Sequence, residues 1–318
     1  MTADGLTTDR PLENATTKGG SPAWRRAGSK LNLYLHINAR RPDGYHELQT
    51  FFELLDYGDE LLVDTNPEDI RVDWIAGDEP IDGRPTDPGD DLLYRTALRL
   101  RQYAHDLEQA PRRRPLGAHI TLKKHAPVGG GLGGGSAAAA CLLLALNREW
   151  ALDLSRETLA EIGRELGADV PVFVRGESAT AHGIGEELHP GTAGQTTGTY
   201  LVLIPALSSP TARLFAADGL KRDTPKRSDT DLLEHWRQGA TNVFEPLLLA
   251  AHPALAALRD DLESQAGFAR VTGSGACLFA PVTSADEGRR IGHALAAKHP
   301  VLRRYFVSRS VGNGKSAS

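Results

Sequence analysis

Pro127-Val128-Gly129-Gly130-Gly131-Leu132-Gly133-Gly134-Gly135-Ser136 runs directly into Ala137–Ala140 and an apolar segment reaching Leu146. Six glycines in seven positions build no core, and each loses more backbone entropy on folding than any other residue. They permit close approach of the backbone to a ligand, with successive N–H groups turned toward it. The alanine-rich stretch behind them is a strong helix former. A glycine loop opening a helix is an anion site, because the unpaired amides and the helix dipole both favour negative charge. A nucleotide phosphate is the expected anion, and a flexible glycine hinge is the competing reading.

The loop is neither of the commonest phosphate motifs. A Walker loop places Lys-Ser/Thr after its last glycine, and here no Lys or Thr follows. The dinucleotide fingerprint sits at the first strand–helix turn of a parallel unit, whereas this loop follows a strand expected at His119–Lys123. Gly312-Asn313-Gly314-Lys315-Ser316 imitates a Walker end, but Arg309 stands where the first glycine belongs and no chain is left for a helix.

The 318 residues allow two compact lobes or one large α/β unit. No apolar run approaches the length of a membrane span. Residues 1–21 lack an apolar signal-peptide core and read as a disordered extension. A net charge of −5 argues against nucleic acid as the main partner. Cys141 and Cys277 lie in apolar segments, which suits buried, inert thiols and a cytoplasmic setting better than reactive ones. His46-Glu47-Leu48-Gln49-Thr50 begins like a zinc-protease helix but carries Thr50 where the second His must stand. With no protein metal site in view, Mg2+ is expected to arrive on phosphates.

Lys30–Ile37 alternates Leu31, Leu33, Leu35 and Ile37 with Asn32, Tyr34 and His36, which predicts a half-buried strand. Further strands are expected at 47–55, 59–64, 69–75 and 119–123, with helices over 91–107, from the glycine loop to Trp150, and over 155–166. Ser155 supplies an N-cap and Gly167 a stop. The Gly/Thr-rich stretch Gly191–Gly198 divides the chain into 22–190 and 191–318. The second part alternates a strand at 200–205, helices near 243–251, 253–264 and 285–297, and strands near 268–271, 277–282 and 303–309. A sheet-rich first half and a mixed second half fit no doubly wound pattern, so the fold class is α+β.

Lys30 heads the first long strand, and Asp169 follows a helix end beside Val-Pro-Val-Phe-Val. A carboxylate near an apolar run is rarely left unpaired, so a Lys30–Asp169 ion pair is the economical arrangement, with two solvated charges as the plain alternative. Thr272-Gly273-Ser274-Gly275-Ala276 is a second glycine-rich turn between two strands, equally readable as an ordinary hairpin.

Pro127–Ser136 resembles the ATP loop of the GHMP kinases, a family of small-molecule kinases. Lys30-Leu31-Asn32-Leu33, Arg41 to Thr50 with Asp43-Gly44-Tyr45-His46, Gly167 to Phe173, and Thr272 to Cys277 match in order across about residues 22–310. The resemblance implies two lobes, the first with a topology like the second domain of ribosomal protein S5 and the second an α/β-sandwich of ferredoxin-like type. It implies ATP with Mg2+, and transfer of the γ-phosphoryl group to the 2-hydroxyl of a methylerythritol carried on cytidine diphosphate, in the non-mevalonate isoprenoid route. Lys30 and Asp169 match the catalytic pair. Gly129, Gly130, Gly131, Leu132, Gly133, Gly134, Gly135 and Ser136, with Pro127, Lys124 and Asp91, match the ATP site. Asn32, Tyr45, His46, Thr211 and Phe215 match the substrate site, with His46 on the cytosine edge and Tyr45 and Phe215 on its two faces. The basic run Lys221–Arg227 is a candidate neighbour of the diphosphate or a solvated loop.

The resemblance also implies a small-molecule partner, no nucleic acid or membrane, and a monomer or weak homodimer. Three positions depart from the family pattern. Ala137-Ala138 replace Ser-Asn, leaving backbone amides to bind phosphate, Asp91 replaces an Asn donor, and Asn242-Val243 lacks an acidic residue. Another alcohol as substrate, or a degenerate nucleotide-binding regulator, would share the glycine loop.

Overall fold

The computed structural model describes residues 23–65, 68–81, 83–106, 116–189, 198–207 and 211–311. The N-terminal extension, most of the Gly/Thr-rich divider and the Walker-like tail therefore lie outside the described residues. β1 (Arg25–Arg26) and β2 (Ser29–Arg40) lead into β3 (His46–Leu55), β4 (Glu60–Asp64) and β5 (Ile70–Ala76). α1 (Leu92–Asp106), β6 (Ala118–Lys124), α2 (Gly134–Glu149), α3 (Arg156–Leu166) and α4 (Val170–Arg175) follow. After β7 (Ala179–His182) and β8 (Glu187–His189) comes β9 (Thr199–Pro205). The remainder holds α5 (Thr211–Ala216), α6 (Asp229–Glu234), α7 (Trp236–Gly239), α8 (Glu245–Ala251) and α9 (Pro253–Ala266). It closes with β10 (Arg270–Val271), β11 (Leu278–Val282), α10 (Ala285–Lys298) and β12 (Leu302–Arg309).

Three four-stranded sheets result, ordered β1-β4-β6-β5, β2-β3-β7-β8 and β10-β11-β9-β12. On the first, Leu61, Val63, Ile120 and Leu122 pack against α1 through α4. Ala137–Ala140 are all buried there, and their small side chains let α2 sit close on the sheet. The third sheet is covered on both faces, and β9 shows how. Tyr200, Val202 and Ile204 join a core with Leu31, Leu33 and Tyr34 of β2, while Leu201 and Leu203 join one with α8, α9 and α10.

This arrangement corrects the half-buried reading of β2. Ser29–Ile37 is buried on both sides, because a face that alternation marks as polar meets the second half of the chain. Helix and strand positions otherwise follow the expected pattern closely, and Ser155 caps α3 by accepting from Thr158 N. The apolar run after Asp169 forms the short helix α4, so Asp169 stands at a helix start as well as after a helix end.

β2 is an edge strand of its sheet, and pairing with β3 shifts register between Asn32 and Leu35. Backbone groups on its outer edge are taken up by distant segments. Lys30 N donates to Leu132 O (2.9 Å), Asn32 N to Thr272 Oγ1 (2.9 Å), and Leu35 N to Thr241 O (2.9 Å). The Leu33 carbonyl accepts from Arg270 Nη1 at 2.5 Å. Arg270 is only 6% exposed and also donates to the carbonyls of Trp236 (2.8 Å) and Ala240 (2.6 Å). Burial pulls its pKa down to about 10, so the guanidinium is still charged at neutral pH.

Lysine has no planar fork with which to serve these carbonyls. Arg270→Lys is therefore expected to lower unfolding free energy by at least about 2 kcal/mol, through carbonyls left unpaired, as measured by urea denaturation.

Candidate active site

Lys30 enters the site from the end of β2 that the glycine loop covers. Its ammonium donates to Asn32 Oδ1 and to Gly131 O (3.0 Å), and lies 3.7 Å from Asp169 Oδ2 at the start of α4. Phe52 of β3 presents its ring 5.4 Å away. The Lys30 side chain is 5% exposed against 31% for Asp169, so the carboxylate faces the opening and the ammonium lies behind it. Burial lowers the Lys30 pKa below the usual lysine range, and Asp169 opposes that shift. The predicted ion pair is thus formed.

The glycine loop is wedged between the two halves. Gly131 has φ +80°, and a Cβ there would stand 2.1 Å from Thr272 O. A Cβ on Gly273 would in turn lie 2.8 Å from Gly131 O, so the two glycine-rich turns interlock. Gly130 rests on Pro127 and Cys277, and Gly133 on the Lys30 stem and Phe173. The first internal bond of α2 runs from Ala137 N to Gly133 O (2.9 Å), which leaves the amides of Gly134, Gly135 and Ser136 as its free donors. Those amides, backed by a helix of 16 residues, fit a polyphosphate without any side-chain donor. Ala137 and Ala138 therefore remove side-chain groups and spare the backbone cradle.

Lys124 and Asp91 point into the protein. Lys124 Nζ donates to Asp59 Oδ2, both residues are buried, and Asp59 Oδ1 also accepts from His125 N (2.7 Å) and Ala126 N (2.8 Å). The pair lies beneath Gly134, so it props the start of α2. Asp91 accepts from Leu93 N (2.8 Å) at the head of α1 and from Trp74 Nε1 (2.8 Å). Asn32 is likewise engaged at both ends of its amide, with Nδ2 donating to Thr50 Oγ1 at 2.8 Å. Asn242, at the position that departs from the family's acidic residue, donates to the carbonyls of Val271 and Gly273 (2.8 Å each) and holds the second glycine turn.

A second cluster lies where α5 meets the start of β3. The rings of His46 and Phe215 stack with centroids 5.1 Å apart, and Tyr45 beside them is 60% exposed. His46 Nε2 accepts from Arg222 Nε (3.1 Å), and Arg222 is pinned by the carbonyls of Phe215 and Ala217 (2.8 Å each). Burial and then the charges of Arg222 and Arg40 lower the His46 pKa, so the ring is neutral with its proton on Nδ1. Thr211 Oγ1 pairs with Ser274 Oγ (2.7 Å), which ties α5 and its Phe215 to the second glycine turn. Arg222 lies in the basic run, but only the fold gives it a partner. Asp59 carries no local signal of a role, and Thr50 and Ser274 lie in motifs that name no partner for them.

Among the described residues no group of three or more His, Cys, Asp or Glu is arranged to hold a metal, and no helix is long and apolar enough to cross a membrane. Burial raises the thiol pKa of Cys141 to about 11 and that of Cys277 to about 12, which makes both poor nucleophiles.

The described geometry has clear counterparts. Residues 91–177 match the GHMP kinases N terminal domain and residues 216–301 the GHMP kinases C terminal domain. A 4-diphosphocytidyl-2-C-methyl-D-erythritol kinase of Tolumonas auensis is 42% identical over 90% of this chain and 92% of its own. One of Hahella chejuensis is 40% identical over 94% and 95%. A crystal structure of 4-(cytidine 5'-diphospho)-2C-methyl-D-erythritol kinase superposes with TM-score 0.70 at 31% identity, covering 91% of this chain and 100% of that one. The Methanococcus jannaschii mevalonate kinase shares the fold at TM-score 0.63 and 14% identity, over 92% and 99% of the two chains.

The interlocked turns give a sharp contrast between neighbouring glycines. Gly131→Ala should abolish measurable ATP binding, because its Cβ would strike the Thr272 carbonyl. Gly129→Ala, which has φ +72° but open space around its Cβ, should bind ATP with a modest loss of stability of about 1–2 kcal/mol. Titration with a fluorescent ATP analogue, alongside thermal melts, separates the two.

Proposed function

Because this chain belongs to the GHMP kinase family, among its 4-diphosphocytidyl-2-C-methyl-D-erythritol kinases, we infer that it phosphorylates that same alcohol with ATP. The products are the 2-phosphate and ADP. One observation carries the residue-level reading: a buried ammonium, Lys30, is held between Asp169 and the carbonyl of the glycine loop.

In phosphoryl transfer the transition state is loose, and alignment with charge neutralisation supplies most of the rate. The free amides at the head of α2 take the polyphosphate of ATP. The 2-hydroxyl oxygen forms its bond to the γ-phosphorus as the bond to the bridging oxygen breaks, and that electron pair leaves with ADP. Asp169 orients the hydroxyl and accepts its proton late, since a carboxylate is a weak base toward an alcohol. Lys30 keeps Asp169 ionised and offsets charge on the moving group. Mg2+, carried in on the phosphates, would supply the remaining neutralisation.

At the other end of the cleft, Tyr45, His46 and Phe215 take the pyrimidine by stacking and by a ring N–H, and Thr211 lies toward the erythritol. A degenerate regulator would have no use for Lys30 buried beside Asp169. The same reading places the lobes at 22–190 and 191–318 and the enzyme in the cytoplasm as a monomer or weak homodimer. The two free, high-pKa thiols support the compartment.

Purified protein with Mg2+ and ATP should release ADP only when 4-diphosphocytidyl-2-C-methyl-D-erythritol is present, with a phosphorylated product by mass spectrometry. ADP release indifferent to that alcohol would overturn the assignment. Asp169→Asn should keep ATP affinity and the thermal melt while lowering kcat about a hundred-fold or more. Since Lys30 acts as the ammonium and burial lowers its pKa, kcat should fall on the alkaline side at a pH below the usual lysine range.

A further inference from the structure

The Lys30 ammonium has three hydrogens and three oxygen partners: Asn32 Oδ1, Gly131 O and Asp169 Oδ2. Two of these are fixed by backbone or charge. The Asn32 partner is different, because a carboxamide can present either its oxygen or its NH2 group. An NH2 turned toward Lys30 would set donor against donor and push the ammonium away.

The orientation of that amide is decided one residue further on. Thr50 lies on β3, is 1% exposed, and gives its hydroxyl hydrogen to Tyr34 O, inside the register shift of β2. With its hydrogen committed, Thr50 Oγ1 offers only lone pairs to Asn32 and so accepts from Nδ2 at 2.8 Å. The Asn32 oxygen is then the atom facing Lys30. A one-way sequence of donors runs from Asn32 through Thr50 to the strand's own carbonyl, and its acceptor end sits on the ammonium.

We propose that Thr50 is a positioning residue for phosphoryl transfer, acting through the Asn32 carboxamide to hold the Lys30 ammonium beside Asp169. The inference rests on the kinase reading of the site. The groups around the ammonium are Asp169 from α4, the Gly131 carbonyl from the glycine loop, Asn32 from β2 itself and the Phe52 ring from β3. Asp169 is the charged one among these. Losing the Asn32 oxygen therefore weakens the protonated form of Lys30, and strengthening it does the reverse.

Steady-state kinetics across pH on the full chain test this. Thr50→Val keeps the shape of the side chain and removes the hydroxyl. It should lower kcat about ten-fold, the worth of one hydrogen bond to a charged group, with KM for ATP little changed. It should also move the alkaline limb of kcat to lower pH. Thr50→Ser restores the hydroxyl and should restore both. Asn32→Asp places a carboxylate against the ammonium and should move the alkaline limb to higher pH.

A Thr50→Val enzyme with wild-type kcat and limb overturns the proposal, as does a limb displaced equally in Thr50→Ser. Should Thr50→Val fail to fold in thermal melts, Asn32→Asp still decides: an unmoved limb overturns the proposal and an upward one supports it. The underlying reading fails separately, if Lys30→Met turns over substrate at the wild-type rate.

Discussion

The outer edge of β2 is the constraint on which the rest of this molecule depends. A sheet edge exposes a row of backbone donors and acceptors that must be covered or paired. Here the cover is the candidate active site. The glycine loop takes the amide of Lys30, the second glycine turn takes that of Asn32, and the segment at Thr241 takes that of Leu35. Each bond is a modest contribution alone, but together they set the two halves of the chain in one register. They do so at the strand that carries Lys30. The buried Lys30 ammonium and the glycine loop are therefore positioned by the same hydrogen-bond ladder.

That arrangement explains a cost the chain accepts. Glycines of high conformational entropy are ordered without burying any side chain, and charged groups are withdrawn from water at Lys30, Lys124 and Asp59. Withdrawn charges are tolerable only when paired and fully bonded. Asp59 meets that demand with Lys124 on one oxygen and two backbone amides on the other. It does so under the first turn of α2, where a fixed charge pair stiffens the helix end without offering a competing anion to the cleft. Lys30 meets the same demand with Asn32 Oδ1, the Gly131 carbonyl and, at 3.7 Å, Asp169.

Much of this was legible in the sequence, for identifiable reasons. Glycine runs, caps and periodic apolar stripes are local signals, so the glycine loop opening a helix, α1, α3 and the succession of strands and helices in the second half follow from residues a few positions apart. The Tyr45-His46 block and the Lys30–Asp169 pair came through resemblance and chemistry together. What stayed hidden depends on contacts across long sequence separation. Nothing around Asp59 announces Lys124, and nothing around Thr50 announces Asn32. The alternation in β2 misleads because it assumes water on the polar face, whereas Asn32 and His36 there bond to Thr50 and Thr241, and Tyr34 joins Leu31 and Leu33 in a core with residues of β9, β11 and β12. Lys124, Asp91 and Asn32 were assigned to ligands from their place in motifs. The fold gives each a bonded partner inside the protein, which makes them supports for the candidate site.

The Lys30 cluster and the His46–Phe215 cluster are joined by the second glycine turn. On one side Ser274 holds Thr211, the first residue of the helix that carries Phe215 to its stack on His46. On the other, Thr272 holds the Asn32 amide and closes on Gly131, whose carbonyl holds Lys30. Asn242 clamps the turn from behind through the Gly273 carbonyl. Displacing α5 would thus pull on the segment that fixes the glycine loop. On the proposed function, binding energy gathered at the pyrimidine would have a short, hydrogen-bonded route to the geometry of transfer. An enzyme built this way can use the nucleotide part of its substrate to align the alcohol as well as to select it.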